Sequence, residues 1–203
     1  MNFGLIVIGA HIGIHIKNEI SKVKEKSVLL IEPVPHNVKA IKENLKEFDN
    51  IIIEQVTISN ENKDRDFYFV RENSISKLKK HWASGIGSFD KSHLLKHRSK
   101  RFLIGEDDIE TIKIKSLKFK DLTKKYDIKE IDKIIIDVEG SEYDILKDID
   151  LNDVKINSIL FEYKHFDGHF KTGSKLEEIL KKFEANNYKT SKVDEENILA
   201  IKH

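Results

Sequence analysis

The chain contains no cysteine, which excludes disulfides and thiolate metal sites and leaves the compartment open. Only two prolines occur, both in the segment Glu32–Pro35, so no proline-rich linker divides the sequence. Internal repeats and low-complexity segments are lacking too. Apolar runs stay below the roughly 18 residues that span a bilayer, and the N-terminus enters a strand-like run without the basic segment of a signal peptide. A charge excess is also missing: 36 basic and 35 acidic side chains leave a formal +1, which provides no global field to draw the molecule to nucleic acid or to an anionic membrane. The expectation is a soluble, cytoplasmic protein without a membrane or nucleic-acid partner; the oligomeric state is left open.

What is present suits an α/β protein. With 203 residues, 39% of them hydrophobic, the chain can bury a full core, and a single domain over residues 1–203 is expected. Apolar runs of strand length alternate with helical patterns: Phe3 to Ile8, a helix through Ile14, Ile16 and Ile20, Val28 to Ile31, a helix through Val38, Ile41 and Leu45, then Ile51 to Ile58. This order predicts a parallel sheet with helices on both faces. Residues from about 60 to 116 break the rhythm and read as an insertion over one end of the sheet, with strands Asp66 to Val70 and Glu110 to Lys115 flanking a polar, glycine-punctuated stretch. The rhythm resumes with a helix over Leu117 to Tyr126, a strand over Lys133 to Val138, a helix from about Ser141, a strand over Ser158 to Tyr163 and a helix over Lys175 to Asn186. The last two strands, Tyr188 to Val193 and Ile198 to Lys202, are close enough to pair as a hairpin, so the parallel sheet ends in an antiparallel pair.

Two segments carry the first chemical signal. In VIGAHIGIH a buried strand breaks into a tight turn at Gly9 and Gly13 that opens a helix, and in LLIEPVPHN the next strand ends in Glu32. Glycines let a backbone approach a ligand, a helix N-terminus offers N–H donors, and a carboxylate at the neighbouring strand tip can accept both hydroxyls of a ribose. This describes a nucleotide-type pocket without naming its ligand. Asp137 ends another apolar strand, where a charge must be paired, solvated or used. Ser141 is the better placed N-cap of the following helix, and Glu142 in its first turn reads as a helix stabiliser.

Together with IIIDVEGSEYDIL, these segments resemble the FkbM family of S-adenosylmethionine-dependent methyltransferases, and the likeness runs over nearly the whole chain. It implies a class I, Rossmann-like three-layer sandwich with a mostly parallel seven-stranded sheet and an antiparallel last strand. It also implies S-adenosylmethionine as cofactor and O-methylation of a saccharide or similar small molecule. Gly9, Ala10, His11 and Gly13 fall on the family's cofactor loop, Glu32 on its ribose-binding acid, and Asp137, Glu139, Gly140 and Glu142 on its DVEGxE motif. Thr57 and Ser59 are expected near the adenine. Val7 stands where the family usually has an acid, His11 replaces the usual Asn, and the upstream segment that commonly closes the pocket is missing. Two readings of these departures stay open, weaker cofactor binding or a sequence that lacks its N-terminal part.

Methyl transfer to a hydroxyl requires the acceptor oxygen near the methyl carbon and a base for its proton. The candidates are Asp137, Glu139 and His165, with Glu162 beside them in the sequence EYKH. His165, His169 and Glu162, or His11 and His15, could suggest a metal, but no third convergent ligand is fixed by sequence, and no metal is expected. The basic runs Lys77 to Trp82 and His93 to Arg101 read as solvated helix faces, and Ser84 to Phe89 as a lid with Trp82 or Phe89 stacking on a ring. Two other classes are weighed: an NAD-dependent oxidoreductase, disfavoured by the absence of G-x-G-x-x-G, and a non-catalytic cofactor- or nucleic-acid-binding module.

Overall fold

Along the chain the elements of the computed structural model are β1 (Asn2–Ile8), α1 (Lys17–Lys22), β2 (Ser27–Ile31), α2 (Pro35–Asn44), β3 (Ile51–Glu54), β4 (Thr57–Ile58), β5 (Lys63–Val70), α3 (Glu72–Leu78), β6 (Gly87–Ser88), α4 (Lys91–Lys96), β7 (Arg98–Ser99), β8 (Phe102–Leu103), β9 (Ile109–Leu117), α5 (Phe119–Lys125), β10 (Glu130–Ile136), α6 (Glu142–Asp148), β11 (Lys155–Glu162), α7 (Ser174–Ala185), β12 (Tyr188–Lys192) and β13 (Asn197–Lys202). The structure describes residues 1–23, 25–78, 81–96, 98–99, 102–168 and 171–203. Lys79, Lys80, His97, Lys100, Arg101 and His169 of the sequence reading, and the Trp82 side chain, lie outside the described residues.

Seven strands form one sheet in the order β12-β13-β11-β10-β1-β2-β3. Neighbours are parallel except at β13, which runs antiparallel to both β11 and β12. Strand alternation divides the core. Leu29 and Ile31 of β2 face one apolar layer with Leu122 of α5, Ile145 of α6 and Ile179 and Phe183 of α7, while Val28 and Leu30 face the other with Ile20 of α1 and Ile41 of α2. Helices therefore cover both faces, as in a three-layer class I methyltransferase sandwich. The hairpin β12–β13 is held to β11 by a hydrogen bond from the Tyr188 hydroxyl to the Ile156 carbonyl (2.7 Å). At the far end of α6, Lys182 donates to the carbonyls of Leu146, Lys147 and Ile149 and so satisfies three groups the helix leaves open.

Three expectations need correction. Ile51 to Ile58 is not one strand: it breaks at Gln55 and Val56, β3 staying in the large sheet and β4 pairing in parallel with β9 of a second, four-stranded sheet, β4-β9-β5-β6. Leu117 ends β9 rather than starting a helix, and α5 begins at Phe119 after the extended Lys118. The strand expected to reach Val138 stops at Ile136, where the Asp137 N–H makes the last ladder bond, to the Ile8 carbonyl (3.0 Å). The small sheet sits over the carboxyl end of the large one, because Phe67, Phe69 and Ile114 pack with Val34, which directly follows β2 and Glu32. No helix among the described residues is long and apolar enough to cross a membrane.

Candidate functional site

A cavity of about 460 Å³ opens where β1, β2 and β10 end and the small sheet arches over them, a size and position typical of ligand sites in open α/β folds. Gly9, His11, Glu32, Thr57, Asp137 and Glu139 line it, along with Val34, Phe67 and Phe89.

The first wall is built on the turn after β1. Gly9 has φ +89°, and a Cβ there would lie 1.7 Å from the Asp137 carbonyl oxygen, so only glycine lets the loops after β1 and β10 cross. The Gly9 and Ala10 N–H groups both donate to the Ile31 carbonyl, each at 3.0 Å. His11 follows at φ +50° and donates its N–H to Glu32 Oε2 (2.9 Å). Glu32 Oε1 accepts from the Val34 N–H (3.0 Å) and Asn37 Nδ2 (3.2 Å). Burial pushes the Glu32 carboxyl up to about 7, against the pull of these donors. Burial also holds His11 neutral, its imidazole lowered to about 4, and its Nε2 meets the Ser84 hydroxyl. Asn37 Nδ2 reaches the Ser84 carbonyl (2.8 Å) as well. The segment expected as a lid is thus stitched to the acid-bearing wall, and its Gly87 and Ser88 pair with β5. Phe89 stands edge-on to Phe67 with the Arg65 guanidinium 3.9 Å over its ring.

The second wall is the turn after β10. Asp137 stands in the cavity with its surface open to the water there. The surrounding walls nevertheless push its carboxyl up to about 6, with the charges of Glu139 and Glu142 adding to that. Ser141, expected to cap α6, makes no side-chain cap bond. Glu142 reaches back instead and accepts from the N–H groups of Val138 (2.8 Å) and Gly140 (3.0 Å), which anchors the turn between Asp137 and the helix. Glu162, at the end of β11, is buried and paired with Lys164, and burial first, then Asp137, pushes it up to about 7.

Several expected residues are elsewhere. Ala10 is fully buried and Gly13 packs against Leu45, so both shape the turn without lining the cavity. Ser59 is buried against the Ser116 hydroxyl (2.7 Å). His165 faces Glu139 and Glu162 outside the cavity lining, and its pair with Glu139 raises its pKa. Val7 is fully buried in the apolar layer with Ile20 and Ile41, pointing away from the cavity. His11 and His15 approach with ring centroids 6.3 Å apart, with no carboxylate completing a metal-binding group around them among the described residues. Lys77 of the first basic run is matched by Asp108.

The wall fits an adenosyl group on one further observation. Thr57 Oγ1 is buried and has no hydrogen-bond partner among the described residues, and an orphan hydroxyl on a cavity wall marks where a ligand's polar atom belongs.

A family model for the methyltransferase FkbM domain matches residues 8–190. Among solved structures, the methyltransferase FkbM of Methylobacillus flagellatus KT is similar with a TM-score of 0.54 and 15% identity over 99% of this chain and 44% of that one. The chain therefore spans less than half the length of that protein. The precorrin-6y C5,15-methyltransferase of Geobacter metallireducens GS-15 aligns with a TM-score of 0.47 and 13% identity over 99% of this chain and 80% of that one. Fibrillarin of Aeropyrum pernix, solved with natively bound S-adenosyl-L-methionine, aligns with a TM-score of 0.47 and 10% identity over 98% of this chain and 66% of that one. The first likeness bears on the fold alone, and the two weaker ones add nothing to it. No curated protein matches the chain in sequence.

Proposed function

The chain belongs to the FkbM family of S-adenosylmethionine-dependent methyltransferases, and on that premise we propose that it transfers the methyl group of S-adenosylmethionine to a hydroxyl of a saccharide or similar small molecule. The observation that carries this reading is the meeting, in one cavity, of the glycine turn after β1, the acid after β2 and the acid after β10. S-adenosylmethionine, when bound, supplies an electrophilic methyl carbon on a sulfonium. Glu32 accepts a ribose hydroxyl, for which its Oε2, so far taking one N–H, has a lone pair to spare. Thr57 Oγ1 meets a polar atom of the adenine, and Val34, Phe67 and Phe89 keep water from the base and ring.

Asp137 accepts the acceptor's proton. Among the candidate bases, Asp137 and Glu139 line the cavity. A carboxyl held at about 6 is ionised at neutral pH and remains basic enough to share a proton as the C–O bond forms. The family supports the saccharide as acceptor, as do the two rim carboxylates and the Phe89 ring, which suit a polyhydroxylated face. The assignment supersedes an NAD-dependent reading, which the family excludes.

The test is titration calorimetry with S-adenosylhomocysteine, with NAD as control, followed by transfer of labelled methyl to a panel of mono- and oligosaccharides. Roughly micromolar binding and label on a sugar hydroxyl are expected. Binding of NAD in place of the sulfur ligand overturns the reading, and label found only on non-hydroxyl acceptors overturns the substrate class.

A further inference from the structure

We propose that Glu139, Glu162 and His165 form a binding site for one divalent first-row transition cation at the rim of the cavity. His165 Nε2 lies 3.4 Å from Glu139 Oε2 and 3.9 Å from Glu162 Oε2, and one ligand atom from each of the three falls within 4.8 Å of the others. An ion bound at roughly 2.1 Å holds adjacent ligand atoms roughly 3.0–3.4 Å apart, so the two contacts of His165 need to close by no more than about half an ångström, and the two carboxylates, within 4.8 Å of each other, by side-chain rotation of at most about 1.5 Å.

A second observation points to the same spot. Glu162 is 4% exposed, and its two oxygens are treated differently. Oε1 takes the Lys164 ammonium, while Oε2, turned toward His165, has no hydrogen-bond partner among the described residues. A buried carboxylate oxygen left without a donor is costly, and a cation on that side removes the cost. The surrounding charge favours one too. Asp137, Glu139 and Glu142 stand around Glu162, whereas the ammonium that answers them, Lys164, is divided between Glu162 and Glu196.

The neighbouring triplet of Asp137, Glu142 and Glu162 also converges, but the Glu142 oxygens already accept the Val138 and Gly140 N–H groups, which places the ion on the His165 side. Two carboxylates with an imidazole suit Mn²⁺, Fe²⁺ or Zn²⁺ better than Ca²⁺ or Mg²⁺, which prefer all-oxygen sets. Glu139, which also lines the cavity, joins the two sites. The inference rests on this geometry and stands apart from the methyl-transfer reading.

Mn²⁺ alone is the probe, titrated into the full chain and followed by loss of the free-ion electron paramagnetic resonance signal. One Mn²⁺ per chain is expected, weakened at least about tenfold by Glu162→Gln and by His165→Gln, with Mg²⁺ competing poorly. Thermal melts and S-adenosylhomocysteine titrations on the same samples report whether each variant is folded. Should a variant unfold, paramagnetic broadening in the wild type decides: loss of the His165 imidazole signals at substoichiometric Mn²⁺ supports the site, and broadening centred elsewhere refutes it. Absence of saturable Mn²⁺ binding, or binding equally strong in both folded variants, overturns the proposal. S-adenosylhomocysteine binding without Mn²⁺ binding sinks the ion site alone, whereas Mn²⁺ binding without the sulfur ligand sinks the methyl-transfer reading alone.

Discussion

Glu32, just after β2, and Glu162, at the end of β11, stand at the same end of the large sheet with β1 and β10 between them, are equally buried at 4% exposure, and carry carboxyls pushed up to about 7. Their surroundings differ. Glu32 is met by N–H donors from His11, Val34 and Asn37, all supplied by its own wall and fixed by backbone turns. Glu162 is met by one flexible ammonium, by the His165 imidazole at 3.9 Å and by other carboxylates. Burial costs both groups, but the first is held in one geometry by neutral dipoles, and the second lies in an unbalanced field that an outside charge can complete. On the proposed reading the β1–β2 wall holds a ligand in place and the β10–β11 wall handles charge.

Substitutions can separate the two walls. The largest effect should come from Asp137→Asn, which keeps the shape and removes the proton acceptor: kcat at saturating cofactor should fall by about 10² to 10⁴, with S-adenosylhomocysteine affinity moving less than about threefold. A matching loss of affinity would make Asp137 part of the holding wall. Gly9→Ala should follow, since its Cβ meets the Asp137 carbonyl at a φ of +89°. We expect a loss on the order of 3 kcal/mol in urea unfolding, and wild-type stability would show that the two loops move apart easily. Next, Glu32→Gln should weaken S-adenosylhomocysteine by at least about tenfold, or about 1.4 kcal/mol, in calorimetry, while Glu162→Gln should leave it within about twofold. Equal effects would erase the distinction.

The smallest expected effect is on pH. The Glu32 carboxylate is a better acceptor for a ribose hydroxyl than the neutral acid, and its fraction grows as pH rises through about 7, so calorimetry should find affinity rising from about pH 6 to about pH 8 and flat above. The ligand-free chain should respond with the opposite sign. A carboxyl raised from 4.5 to about 7 binds its proton more tightly when folded. Its contribution to stability is therefore full below about 4.5 and is lost as pH climbs through about 7. A denaturation series that showed the reverse would mean that both acids are ionised in the folded state at lower pH.

The large sheet was legible because Val28 to Ile31 and Ile134 to Ile136 are continuous apolar runs closed by an acid, and a charge at such an exit stands out. The split of Ile51 to Ile58 was not, since strand propensity runs on through Gln55 and says nothing about a change of partner. That Ser141 makes no cap bond while Glu142 reaches back to the turn also escaped the sequence: both residues suit a helix start, and the turn's backbone decides what each can reach. Ala10, Gly13 and Ser59 belong to the motif regions, yet they serve packing. The meeting of Glu139 with Glu162 and His165 follows a turn with positive φ at Glu139 and Gly140, and side-chain periodicity carries no record of it.

The crossing at Gly9 also bears on how this chain can change. Because the Gly9 backbone lies against the Asp137 carbonyl with no room for a methyl group, the loop after β1 and the loop after β10 cannot drift separately. A mutation that lengthened or re-aimed either one would have to be matched in the other to be tolerated. Novelty in the acceptor is then easiest to reach through the arching small sheet, which can vary its rim without disturbing that shared joint.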